Sequence, residues 1–230
     1  MEWKDNTVQK LKWNDEIINR SQKEQVVSKL VSKIKNGDVI AIGSGSTSFL
    51  ATHAIAKKIK EENLNILAIP AAYEIELLCL NLGIQVTTLS VKKPDWGFDG
   101  ADEVDSNKWL IKGRGGALLR EKMLIASSGV TYILVDESKF VKNLCDKFPI
   151  PVECVPESLN LVREKLAELG ADSIELRLAK GKDGPIITEK GNVILDVKFS
   201  TVGETLERDL KSIVGVVETG LFIGYNIEIL

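Results

Sequence analysis

"DVIAIGSGSTSFLATHAIAKKIK", residues 38–60, runs an apolar segment into a glycine turn and then into a helical pattern. Val39–Ile42 shows no polar alternation, which is the mark of a strand buried on both faces. Gly43 and Gly45 allow a tight turn, and the hydroxyls of Ser46 and Thr47 open a helix over about 46–62. The same unit recurs along the chain. "NILAIP" (65–70) reads as a buried strand, and "YEIELLCLNLG" (73–83) as a helix closed by Gly83. "IQVTTL" (84–89) and "TYILVD" (131–136) read as strands, with "GALLREKMLIASS" (116–128) a helix between them. "KEQVVSKLVSKI" (23–34) is a further helix. Strands that alternate with helices predict a mostly parallel, Rossmann-like α/β sheet with helices on both faces.

The pattern changes near Phe148. "PVECV", a helix over "ESLNLVREKLAELG", "SIELRLA", "PIITEKGNVILDVKF" and a helix over "GETLERDLKSI" follow, with polar and apolar residues alternating in the strands. That order predicts a smaller α+β, ferredoxin-like layer. The apolar "VVETGLFIG" is expected to rejoin the first sheet. Residues 1–20 read as an N-terminal extension, 21–147 with 207–230 as the Rossmann-like domain, and 148–206 as the small domain.

The 230 residues are 44% hydrophobic and 27% charged with a net charge of −3, which is ordinary globular composition. The chain has no basic block to suit nucleic acid and no apolar run long enough for a membrane helix. The polar N-terminus lacks a signal-peptide core. The three cysteines, Cys79, Cys145 and Cys154, have neither disulfide nor zinc spacing, so a reduced, cytoplasmic protein is expected. The single histidine, His53, lies in an amphipathic helix and reads as structural. Carboxylates or lysines must then move any protons.

Two segments carry chemistry. In "IAIGSGSTSF" the glycine turn and the helix start present backbone N–H groups at the positive end of a helix dipole, which favours a phosphate. A plain strand-to-helix turn fits the same residues. No lysine follows where a nucleoside-triphosphate loop requires one, and Ser48 replaces the third glycine of a dinucleotide fingerprint. The second segment is "GFDGADEVDSNKWLIKGRGGALLREK" (97–122). Its acidic part fits a solvated loop, a magnesium site or proton chemistry, but Ala101 and Val104 break the calcium-loop pattern. Neighbouring carboxylates push their pKa values apart, leaving one better able to hold a proton. Gly100 allows a bend between Asp99 and Asp102. Lys112 suits an oxyanion, as do the backbone N–H groups of 113–116, and Glu121 is a candidate base. In an open parallel sheet such loops gather at the carboxyl edge.

These motifs resemble the ribose-5-phosphate isomerase family of the A type. That family's GTGST loop appears here as "GSGST" (43–47), DGADE is intact at 99–103, and the motif that begins K-G-x-G reads "KGRGGALLREK" (112–122). "VDESK" (135–139), "FPIPVECVP", "GNVILDV" and "GVVETGLF" match further landmarks, so the likeness runs from about Lys23 to Phe222. It implies interconversion of D-ribose 5-phosphate and D-ribulose 5-phosphate through an enediolate. The implied roles are Glu121 as base, Asp99 in ring opening, and Asp102 with Lys112 on the sugar oxygens and the intermediate. Ser44, Gly45, Ser46 and Thr47 would hold the phosphate, with Lys139 nearby and Lys23 joining them. Gly100, Ala101, Gly113, Arg114 and Gly115 are expected to line the substrate. The likeness further implies no metal, no organic cofactor and a homodimer or homotetramer. Ala71-Ala72-Tyr73, Lys198 and Leu119 depart from the family pattern. A sensor that binds without reacting, or an isomerase of a related sugar phosphate, are the competing readings.

Overall fold

The computed structural model describes residue 13 and residues 16–230. The expected extension over 1–20 lies outside the described residues, apart from Trp13 and 16–20. Trp13 sets its ring 5.5 Å from that of Phe49. In chain order the elements begin with α1 (Arg20–Val31), β1 (Val39–Ile42), α2 (Gly45–Glu62), β2 (Leu67–Pro70), α3 (Tyr73–Leu82), β3 (Gln85–Val86) and β4 (Trp96–Asp99). Then come β5 (Glu103–Val104), β6 (Leu110–Ile111), α4 (Leu118–Ser127), β7 (Thr131–Ile133), β8 (Ile150–Cys154), α5 (Leu159–Glu168) and β9 (Ser173–Leu176). The chain closes with β10 (Val193–Lys198), α6 (Leu206–Lys211), β11 (Val216–Thr219), β12 (Leu221–Phe222) and β13 (Ile227–Ile229).

The chain divides into two compact units. The first takes the described residues up to Gly100 together with Leu124–Asp136 and Asn226–Leu230. Its six strands pair in the order β13-β7-β4-β1-β2-β3, every pair parallel. Numbered within the sheet this is 6-5-4-1-2-3, the doubly wound order, and the direction of winding reverses between β1 and β4. The apolar run Val39–Ile42 lies at the centre of this sheet, between β4 and β2. Ile40 and Ile42 are fully buried and pack with Leu30 of α1, Ile55 of α2, Ile75 of α3 and Phe98 of β4. Each such side chain contributes about 1.5–3 kcal/mol. That outweighs the roughly 0.5–1 kcal/mol of backbone entropy that a glycine beside a strand costs. As expected, α3 stops at Gly83, whose φ of 77° places it in the left-handed region.

The second unit takes Ala101–Met123 and Glu137–Tyr225. Its elements β8, α5, β9, β10, α6 and β11 form a β-α-β-β-α-β motif, with an antiparallel sheet in the order β11-β8-β10-β9. This is the ferredoxin-like layer expected from the sequence. Val152, Cys154, Val162, Leu166, Leu195, Val197 and Leu210 form its core. A second small sheet, β12-β6-β5, belongs to the same unit.

The boundaries differ from those drawn on the sequence. Residues 101–123 and 137–147 fall in the second unit because β5 and β6 pair with each other, β6 pairs with β12, and Val104 bridges Phe140. "VVETGLFIG" does not rejoin the first sheet. Its first half is β11 beside β8, and its second half is β12 beside β6. The strand that returns is β13, next to β7. Three residues with a single alternation, Ile227-Glu228-Ile229, give a far weaker periodic signal than the apolar run before them.

Candidate active site

The loops after β1 and β4 meet at the reversal in the first sheet. Ile42 pairs with Phe98, and the N–H of Gly43 donates to the Phe98 carbonyl at 2.8 Å. The next residue of β4, Asp99, is 2% exposed. Its Oδ1 accepts the N–H of Gly100 at 2.7 Å. A Cβ on residue 43 would stand 2.6 Å from Asp99 Cβ and would overlap its carboxyl group. Gly43 is therefore what lets the carboxylate sit against the turn after β1.

Helix α2 begins at Gly45, whose φ is 85°. The residue in the capping position is Ser44, and its side chain makes no capping bond. The sequence placed the caps on Ser46 and Thr47, which instead lie within the first turn. Lys23, from α1, donates from Nζ to Ser46 Oγ at 2.9 Å. An ammonium at the positive end of an 18-residue helix is electrostatically unfavourable by itself. A phosphate between them reverses the sign of both interactions.

The second unit holds the remaining groups. The N–H of Asp102 donates to the Ile111 carbonyl at 2.8 Å, and Asp102 Oδ2 accepts the N–H of Arg114 at 3.3 Å. Burial raises the Asp102 pKa, and the charge of Glu121 adds to that, while Lys112, Lys139 and the Arg114 N–H oppose it. Glu103 and Asp105, beside it in sequence, are spent on structure. Glu103 is fully buried and accepts the N–H groups of Cys145, Lys147 and Phe148. Asp105 Oδ1 accepts those of Asn107 and Trp109 and closes the β5–β6 turn. Only half of the carboxylates that crowd this stretch are thus left for chemistry.

Lys112 follows β6, anchored by its N–H to the Gly220 carbonyl at 2.8 Å. Its Nζ lies 3.3 Å from Glu121 Oε2, and the two side chains are 3% and 4% exposed. The turn between them needs glycine. Gly113 has a φ of 93°, and a Cβ there would stand 2.6 Å from Leu118 Cβ. The backbone N–H groups of 113–116 are fewer donors than the sequence promised. Arg114 N–H serves Asp102, and Gly116 N–H closes on the Gly113 carbonyl at 3.0 Å. Arg114 and Lys139 both stand 5.4 Å from the Phe148 ring, and Lys139 ends the short 3₁₀ turn Glu137–Lys139. Gly100 and Ala101 are half-buried, as is Gly116, whereas Gly115 is exposed.

One contributor was not legible as a site residue. Lys122 turns away from Glu121 and makes bonds of 2.5 Å to Glu207, 3.1 Å to Glu218 and 2.8 Å to the Leu221 carbonyl. It also lies 4.5 Å from the Phe222 ring, which is 5.8 Å from Lys112 Nζ. This buried network fixes the first turn of α4, and with it Glu121. Its acidic members lie some ninety residues away in sequence, so no motif announces them. His53 keeps its structural reading, with its ring packed edge-on 4.7 Å from Phe49. Burial pushes the Cys79 and Cys154 thiols up to about 12 and about 11, which makes them poor nucleophiles. Among the described residues no three of His, Cys, Asp or Glu are grouped to hold a metal.

The raised Asp102 pKa predicts a trade of stability against function. The folded state holds this proton more tightly than the unfolded chain, so the wild type loses stability as pH rises from the ordinary Asp range through the raised folded value. Asp102→Asn removes that slope. It should melt higher than the wild type at pH 7 while turning over more slowly, with the melting advantage shrinking below about pH 4. Melting curves at both pH values check this, and an Asn variant that melts lower at pH 7 would contradict it.

Residues 67–230 match the family model for ribose 5-phosphate isomerase A (phosphoriboisomerase A). The chain is 39% identical to the ribose-5-phosphate isomerase A of Methanothermobacter thermautotrophicus over 204 residues, covering 88% of this chain and 89% of the relative. Among solved structures, ribose 5-phosphate isomerase A from Methanocaldococcus jannaschii superposes with a TM-score of 0.89 at 38% identity, covering 92% of this chain and 95% of that one. A D-ribose-5-phosphate isomerase in complex with phospho-erythronic acid gives a TM-score of 0.88 at 36% identity, over 91% and 94% of the two chains.

Proposed function

This chain belongs to the ribose 5-phosphate isomerase A family, and from that premise we propose how its residues carry out the interconversion of D-ribose 5-phosphate and D-ribulose 5-phosphate. The reaction moves a proton between C2 and C1 through an enediolate. Asp99 assists opening of the furanose ring. The Glu121 carboxylate takes the proton from C2 of the open aldehyde, and the C–H electrons form the C1–C2 double bond while charge gathers on O1. Lys112 stabilises that oxygen. Glu121 then returns the proton to C1 as the carbonyl forms at C2, and the hydroxyl proton passes from O2 to O1. Asp102 orients the sugar oxygens. Ser44, Gly45, Ser46, Thr47 and Lys23 bind the phosphate, and Lys139 adds positive charge. Gly100, Ala101, Gly113, Arg114 and Gly115 line the substrate.

The buried Lys112–Glu121 pair carries this reading, because 3.3 Å puts a proton acceptor and an oxyanion stabiliser side by side. The relative solved with phospho-erythronic acid supports it, since that ligand joins a phosphate to a carboxylate. Its two charges mimic those of the enediolate phosphate. The test is ribulose 5-phosphate formation from ribose 5-phosphate by the wild type with EDTA present. Turnover is expected, and its absence would overturn the proposal.

Lys23 provides a separate check. Losing one charge-assisted bond to the phosphate costs about 1.5–3 kcal/mol. Lys23→Ala should therefore raise KM roughly tenfold or more and leave kcat much closer to the wild-type value. An unchanged KM would remove Lys23 from the phosphate site. Among the described residues no helix is long and apolar enough to cross a membrane, and Cys79, Cys145 and Cys154 are free thiols. The family likeness is the basis on which we propose a cytoplasmic homodimer or homotetramer, whose mass light scattering would give.

A further inference from the structure

We propose that Arg177 is a positioning residue for this reaction, acting through the Gly113–Arg114 peptide on the Asp102 carboxylate; the inference rests on the isomerase reading above. Arg177 follows β9 and belongs to none of the segments that carry chemistry in the sequence. Its Nε donates to Asp196 Oδ2 at 2.8 Å, and its Nη2 donates to the other oxygen of that carboxylate. This bidentate grip fixes the plane of the guanidinium. The remaining nitrogen, Nη1, donates to the Gly113 carbonyl at 3.0 Å and the Arg114 carbonyl at 2.8 Å. Two successive carbonyls reach one donor because Gly113 has a φ of 93°.

The peptide that receives the first of these bonds joins Gly113 C=O to Arg114 N–H, and that N–H is the group that donates to Asp102 Oδ2 at 3.3 Å. An unbroken series therefore runs from Asp196 through Arg177 and one peptide to Asp102. A cation on the carbonyl end polarises the peptide and strengthens the N–H as a donor. At 3.3 Å that bond is long enough for loop position to decide whether it forms. The side chains of this ion pair are only 14% and 22% exposed, so it is more than a surface contact. Its geometry is suited to holding the loop between Lys112 and α4. Lysine cannot reproduce it, since one ammonium cannot both grip a carboxylate in two places and reach two carbonyls.

The test compares the wild type with Arg177→Met, Asp102→Asn and the double variant. Arg177→Met should lower kcat about 10–10²-fold, with KM within about threefold. In the Asp102→Asn background the same change should cost less than about twofold, because the group on which Arg177 acts has gone. Equal losses in both backgrounds would overturn the proposal, as would wild-type kcat in Arg177→Met. A second measurement does not depend on turnover. The groups facing Asp102 are Lys112, Lys139, Glu121 and the Arg114 N–H. The Asp102 side-chain carboxyl, followed by carbon NMR, should titrate at higher pH in Arg177→Met, and an unmoved titration would also overturn it. Should Arg177→Met fail to fold, Asp196→Asn loosens the same grip and should give a smaller loss of the same kind. A wild type without turnover counts against the isomerase reading, and the titration still decides the role of Arg177.

Discussion

Glu121→Gln is expected to lower kcat by at least about 10²-fold, and up to about 10⁴-fold, while KM stays within a few-fold. Glutamine keeps the shape of the side chain and retains an oxygen that can accept from Lys112 at the 3.3 Å the pair now spans. Packing is preserved in the first turn of α4, where Glu121 is 4% exposed. What goes is the ability to take a proton from carbon. The residues proposed for the phosphate are others, so ground-state affinity should hold. Two measurements check this. Coupled-assay kinetics give the kcat and KM split, and proton NMR in deuterium oxide follows wash-in of solvent deuterium at C2 of the substrate. A variant that retains near-native turnover, or exchanges C2 at the wild-type rate, excludes Glu121 as the base.

The sequence showed this residue more clearly than it showed what supports it. Local signals were sufficient where one segment does the whole job. The apolar run Val39–Ile42, the glycine turn and the helix after it became β1, the turn at Gly43–Ser44 and α2. The ferredoxin-like layer was legible from element order, although its last helix and strand were assigned to the other domain. Both lie past the point where the sequence changes character; β11 reveals its place only by pairing with β8, and α6 only by packing against β11. The acidic stretch shows the limit of residue type as a guide. Asp102 and Glu103 are neighbours of similar chemistry, yet one meets the Arg114 N–H and the other caps three backbone donors from 145–148. Only the return of a distant loop distinguishes them. Lys122 with Glu207, and Arg177 with Gly113, are contacts of the same long-range kind.

Lys112→Met should impair activity and stability together, and the second effect can be reversed separately. The ammonium is the donor proposed for the oxygen that gains charge in the enediolate, and loss of one such donor costs roughly 10²–10³ in kcat. Methionine fills much of the same volume and can remain against Phe222, so the cavity contribution is small. The electrostatic contribution is not. Both side chains of the pair are almost fully buried, and removing one partner leaves a carboxylate buried without its cation. Breaking such a pair costs about 3–5 kcal/mol, which for a chain of this size is a fall in Tm of roughly 6–20 °C. Adding Glu121→Gln removes the orphaned charge. The double variant Lys112→Met/Glu121→Gln should regain most of the lost Tm and none of the lost kcat. Calorimetry and steady-state kinetics on the two single variants and the double variant separate the two roles of the pair. If the double variant melts no higher than Lys112→Met, the stability loss comes from packing rather than from the uncompensated charge. If Lys112→Met keeps wild-type kcat, the oxyanion is stabilised by another group.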